Sequence, residues 1–119
     1  IHDFCLISLS DLLTPWEKIE ARLLGASKAD FVICLYNPSS KKRHDYLQKA
    51  CDLMMQYKSP DTVCGIVSYI GREGENWKVL SLRELRDTQV DMFTTVWIGN
   101  SQTKEINGKM VTPRGYKNV

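Results

Sequence analysis

The chain has 119 residues, 43% hydrophobic and 25% charged, which suits one ordinary globular domain with a single core and is too apolar for a disordered segment. Its sixteen basic residues are spread among fourteen acidic ones for a net charge of +2, and the only dense basic run is Lys41-Lys42-Arg43, so nucleic acid is not expected as a partner. No apolar run approaches the ~20 residues of a membrane span and no charged-then-apolar leader opens the chain, so no membrane partner is expected either. Cys5, Cys34, Cys51 and Cys64 lack the close spacing of a zinc or redox motif, and three of them sit in apolar runs. They read as reduced thiols and a cytoplasmic location, with no metal site. Ile1 opens the chain directly in a strand and without a methionine, so a cut inside a longer polypeptide is expected.

The first element is a buried strand of the parallel type, FCLISL (Phe4 to Leu9), with a polar end from Ser8 to Asp11. Thr14-Pro15-Trp16-Glu17 then predicts a helix with Thr14 as N-cap, Pro15 at the first helical position and Glu17 closing a capping box. Trp16, Ile19, Leu23 and Leu24 recur at helical spacing, and Gly25 marks its predicted end. FVICLYN (Phe31 to Asn37) is the second strand, stopped by Pro38. A second helix is predicted from Ser39 or Ser40, with Leu47, Ala50, Cys51 and Met54 as its apolar stripe and Lys42, Asp45, Lys49 and Asp52 on the other side. Ser59-Pro60-Asp61 turns the chain into VCGIVSYI (Val63 to Ile70), and the loop Gly71 to Asn76 leads to an alternating, half-exposed strand, Trp77 to Leu82. A short helical piece over Leu82 to Arg86 precedes a buried strand, Thr94 to Asn100. Asn107-Gly108, between Ile106 and Met110, predicts a hairpin. This order gives an α/β fold with a mixed, mainly parallel sheet flanked by helices and antiparallel strands near the C-terminus.

In open α/β sheets ligands collect at the carboxyl ends of the strands. That places Tyr36, Asn37 and Pro38 on one lip, with Ser68 to Arg72 beside them. Taken by themselves, Asn37-Pro38-Ser39 read as a turn that caps a helix, and Thr94 and Thr95 as β-branched strand residues. His2 beside Asp3 has the composition of an acid–base pair, though such a pair is more often a structural hydrogen bond, especially at a chain start. The glycine-rich loop of the ordinary methyltransferase fold is absent, because Gly71-Arg72-Glu73-Gly74 has neither its spacing nor a clear helix after it.

Four stretches together carry a family resemblance: HDFCLISLSDLLTPW (His2 to Trp16), LYNPSSKKR (Leu35 to Arg43), GIVSYIGREGE (Gly65 to Glu75) and the pair TTVWIGNSQT and INGKMVTPRGY, from Thr94 to Tyr116. Over nearly its whole length the chain resembles the C-terminal half of the tetrapyrrole (corrin/porphyrin) methyltransferases. The resemblance implies methyl transfer from S-adenosylmethionine, leaving S-adenosylhomocysteine, to C17 of precorrin-3B or cobalt-factor III in cobalamin biosynthesis. It implies a cofactor held in a cleft between two domains, of which residues 1–119 are the second, so an N-terminal domain is a missing partner and a homodimer is expected. By position it assigns cofactor contacts to Tyr36, Asn37, the backbone at Ile70 and Gly71, and Thr94 and Thr95. Where Ile70 stands, a neighbouring family pattern often has a small residue. His2, Asp3 and Ser10 would face the tetrapyrrole, and Arg72 and Arg114 would meet its carboxylates, for which the guanidinium fork is suited. No residue is assigned as a catalytic base. The rival reading is a non-catalytic α/β module that dimerises through an exposed former domain interface, and a third is an unrelated metabolite-binding domain.

Overall fold

The structure is a computed structural model that describes residues 3–38, 45–68, 76–91 and 93–113. Along the chain run β1 (Phe4–Ser8), α1 (Trp16–Lys28), β2 (Val32–Tyr36), α2 (Tyr46–Met54), β3 (Val63–Ser68), β4 (Asn76–Ser81), α3 (Leu82–Arg86), β5 (Thr94–Ile98), β6 (Lys104–Ile106) and β7 (Lys109–Val111). A five-stranded sheet has the order β1-β2-β5-β3-β4, and β6 and β7 pair separately as a hairpin. The mixed α/β class is the one expected, but its balance differs from a mainly parallel sheet. Only β1 and β2 pair in parallel, while β2-β5, β5-β3 and β3-β4 are antiparallel. The cause is β5, which inserts between β2 and β3 and runs against both. β1, β2 and β3 still point the same way, so their carboxyl ends share one edge with the amino ends of β4 and β5.

Strand alternation divides the sheet into two unlike faces. Ile7, Ile33, Leu35, Val96, Ile98 and Cys64 turn to one side and pack in a single buried cluster with residues of all three helices. The helices therefore cover one face only, where helices on both faces were expected. On the opposite face Phe4, Leu6, Tyr36 and Trp77 remain exposed. Part of that face is covered by the hairpin, whose Met110 Sδ would lie 3.4 Å from any Cβ added at Gly65. The hairpin turns at Asn107 (φ 52°) and Gly108 (φ 74°), the pair of left-handed conformations that Asn-Gly predicts.

The helix ends depart from the sequence reading in instructive ways. α1 has Pro15 as its N-cap and no side-chain cap bond, so the box from Thr14 to Glu17 does not form. With Pro15 outside the helix, Thr14 stands one residue too early for its hydroxyl to reach the free amides of the first turn. α1 also runs through Gly25 and stops at Asp30, whose φ is 62°. There the Asp30 and Phe31 amides donate to Ser27 O and Ala26 O at 3.1 and 3.0 Å, a Schellman termination with aspartate in the glycine position. α2 buries the predicted stripe Leu47, Ala50, Cys51 and Met54, while its predicted start at Ser39 or Ser40 lies outside the described residues. α3 occupies Leu82–Arg86 as predicted and carries a capping box between Ser81 and Glu84. Cys5, Cys34, Cys51 and Cys64 are all free thiols, three of them buried.

Candidate functional site

The edge shared by the ends of β1, β2 and β3 is built from short polar residues. β2 ends at Tyr36, and Asn37 then takes a left-handed conformation, φ 53°, before the fully buried Pro38. Asparagine tolerates that conformation better than most residues, and such strained positions cluster where ligands are held. The Leu9 amide extends the β1–β2 ladder by donating to Tyr36 O at 3.0 Å. This brings Ser8 within reach of Asn37, whose Nδ2 donates to Ser8 Oγ at 3.2 Å. Ser8 Oγ also accepts from the Ser10 amide at 3.2 Å, and Ser10 Oγ accepts from the Leu12 amide at 3.4 Å. The loop after β1 is further tied to α2 by the Tyr46 hydroxyl, which donates to Asp11 Oδ2 at 2.6 Å while its ring lies 4.7 Å from that of Trp16.

β5 supplies the other half of the edge. Its register against β3 places Thr94 opposite Ser68 and Thr95 opposite Val67, and the pairing of Val96 with Leu35 on the other side sets Thr95, one position on, at the level of Tyr36. The lip is therefore not Asn37 beside Ser68, because the start of β5 stands between them. Successive residues face opposite sides, so the two threonines do not act alike. Thr94 is buried on the helix side, where its hydroxyl donates to Asp91 Oδ1 at 3.0 Å and lies 3.5 Å from Ser68 Oγ. Thr95 shares the open face with the exposed Tyr36 ring. A separate cleft of about 200 Å³ opens on the Thr94 side of this edge, lined in part by Ser68, Asn76, Asp91 and Thr94 and by none of Tyr36, Asn37 and Thr95.

Of the residues picked from sequence, Tyr36, Asn37, Ser10, Thr94 and Thr95 thus belong to one edge, with Tyr36 and Thr95 side by side. Asp3 is exposed just before β1, at the opposite end of that strand. His2, Ile70, Gly71, Arg72 and Arg114 lie outside the described residues. Ser8, Asp91 and the Asp11–Tyr46 pair were not singled out. Ser8 was legible as the polar end of an apolar strand, whereas the other contacts depend on loops meeting across the fold.

A scan against protein-family models finds none that matches this chain. Over 116 residues it is 48% identical to a protein of Salmonella typhimurium named probable cobalt-factor III C(17)-methyltransferase, covering 98% of this chain and 48% of that one. A protein of the same name from Methanocaldococcus jannaschii is 46% identical over 122 residues, covering 97% of this chain and 49% of the relative. The crystal structure of the methyltransferase CobJ superposes with a TM-score of 0.84 at 32% identity, over 94% of this chain and 47% of that one.

Over nearly all of its length the chain is thus similar to one half of proteins named cobalt-factor III C(17)-methyltransferase and of the methyltransferase CobJ. It spans about half the length of the relatives just named. Its fold is therefore one that the methyltransferase CobJ shares over this stretch. Among the described residues no helix is long and apolar enough to cross a membrane.

Proposed function

We infer that this chain is the C-terminal half of an S-adenosylmethionine-dependent methyltransferase that methylates C17 of precorrin-3B or cobalt-factor III in cobalamin biosynthesis. The observation that carries this reading is 48% identity maintained across 98% of the chain to a relative named for that reaction. The polar edge accords with it. Tyr36 offers an exposed ring for an adenine face or a sulfonium, Asn37 offers a carboxamide at a strand end, and Thr95 lines the floor beside them. These side chains fit part of the cofactor, with an N-terminal domain completing the site.

Bound S-adenosylmethionine supplies an electrophilic methyl group; the protein has only to hold it in line with the receiving carbon and keep water away. On this reading Asn37, Tyr36, Thr95 and the backbone at Ile70 and Gly71 orient the cofactor, Thr94 and Asp91 stiffen the start of β5, and Ser10 lies on the substrate side. His2, Asp3, Arg72 and Arg114 are assigned to substrate by the resemblance alone. The intact enzyme is a cytoplasmic homodimer, a state that the exposed Phe4, Leu6 and Trp77 on the uncovered sheet face favour.

The test is transfer of a labelled methyl group to cobalt-factor III or precorrin-3B by a polypeptide that joins this chain to its N-terminal half. Transfer by the joined polypeptide and none by residues 1–119 alone is the expected pattern. Enzyme-like turnover by residues 1–119 alone would contradict the half-site reading, and a folded joined polypeptide without activity on either substrate would sink the assignment.

A further inference from the structure

We propose that the loop between β1 and α1 is where the N-terminal half docks, and that Leu12 and Leu13 are the side chains it covers. The partner rests on the two-domain reading given above; the surface rests on the fold alone.

Leu13 is 98% exposed and Leu12 76%, more than any other large apolar side chain among the described residues. A single leucine on a loose loop would mean little. This loop is not loose. At its start Leu9 is fully buried and its amide donates to Tyr36 O at 3.0 Å. In its middle the Leu12 amide donates to Ser10 Oγ at 3.4 Å, and Asp11 Oδ2 accepts from the Tyr46 hydroxyl at 2.6 Å. At its end the Trp16 ring packs on the Tyr46 ring, with 4.7 Å between centroids. Ordering a loop costs conformational entropy, and the ordering here turns two neighbouring leucines to water rather than into the core. A fixed apolar projection of this kind suits burial in an apolar hollow of a partner.

Position and charge choose the occupant. The loop leaves the carboxyl end of β1, on the edge that holds Tyr36 and Asn37, so whatever completes a cofactor site on that edge must come up beside it. The relatives named above carry about as much chain again as this one. An N-terminal half would join ahead of β1, and that strand's five residues, rising about 3.3 Å each, set the join ~17 Å from the loop. A domain the size of this one, with a radius of gyration of 14.0 Å, spans that distance. A tetrapyrrole ringed with carboxylates is the poorer match, because the loop offers two leucines and the Asp11 carboxylate, with no basic residue between Leu9 and Pro15.

The experiment uses the polypeptide that joins this chain to its N-terminal half. Leu13→Cys in that polypeptide is expected to react with a maleimide at least about tenfold more slowly than Leu13→Cys in residues 1–119, as peptide mapping would report. Equal rates would overturn the proposal. So would protection that grows only as protein concentration rises, which would make the occupant a second copy, or protection that needs an added tetrapyrrole. As a second readout, Leu12→Ser combined with Leu13→Ser should lower the Tm of the joined polypeptide by about 5–10 °C and leave that of residues 1–119 within about 2 °C of wild type. An equal fall in both would make the leucines part of this domain's own packing and would overturn the proposal, as would no fall in either. Neither readout needs a ligand, so a joined polypeptide that transfers no methyl group would count against the methyltransferase reading and not against the docking surface.

Discussion

Replacing Lys58 by methionine should cost this fold much of its stability while leaving the candidate site alone. Lys58 follows α2 and is only 6% exposed, an unusual place for an ammonium. Its Nζ donates to Phe31 O at 2.8 Å and to Gly99 O at 2.9 Å, tying the end of α2 to the start of β2 and the end of β5. Burial pulls its pKa below the ordinary lysine value, with the Asp30 carboxylate opposing the shift. Methionine would fill the space and remove the desolvation cost, but it leaves the Gly99 carbonyl at a buried contact and the Phe31 carbonyl at a part-buried one without their donor, at about 1–3 kcal/mol each. A net loss of about 2–4 kcal/mol follows. With unfolding entropy near 2.1 cal/mol/K per residue, roughly 4 °C of Tm is lost per kcal/mol in a chain of 119 residues, so Tm should fall by about 8–16 °C. Thermal unfolding followed by circular dichroism reads this directly. A Tm within 2 °C of wild type, by the same ~4 °C per kcal/mol scale, would refute the clamp.

Gly99→Ala should destabilise by roughly 1–3 kcal/mol in urea unfolding, because its Cβ would sit 2.5 Å from Thr103 Cβ, where Thr103 is held by a 2.7 Å hydrogen bond to Thr112; a neutral result would mean that this packing is wrong. A pH dependence follows from Cys34, whose thiol burial pushes from 9.0 up to about 11. Between those values the unfolded thiol has lost its proton and the folded one keeps it, so rising pH favours unfolding, and the contribution is complete only below pH 9.0. The stability difference between wild type and Cys34→Ala should therefore drift by about 1–3 kcal/mol against wild type over that window, and a flat difference would contradict it. Alkylation of the native protein should label the half-buried Cys5 first and the fully buried Cys51 and Cys64 only on unfolding, as peptide mapping would report; early labelling of Cys51 would contradict the core.

Much of this was legible in the sequence because apolar strand runs and a helical stripe declare themselves locally. Leu47, Ala50, Cys51 and Met54 needed only a 3.6-residue period, and Asn107-Gly108 only its backbone preference. What the sequence hid was non-local or competitive. Gly25 did not end α1, because Ala26 and Ser27 bury beyond it and Asp30 accepts the left-handed turn. The capping box between Ser81 and Glu84 had the right spacing and went unread, while Thr14 to Glu17 had the spacing and was defeated by the place of Pro15. Strand order is the deepest case. Nothing in Thr94 to Ile98 announces that it inserts between β2 and β3, yet that insertion brings Thr95 beside Tyr36. Alternation along β5, by contrast, was readable and would have separated Thr94 from Thr95.

The central claim is that this chain holds half of a cofactor site, and calorimetric titration of S-adenosylhomocysteine tests it most directly, into residues 1–119 and into the polypeptide that also carries the N-terminal half. Tight binding to the longer polypeptide, with weak or no binding to residues 1–119, is the predicted result. No binding to a folded longer polypeptide would contradict the account.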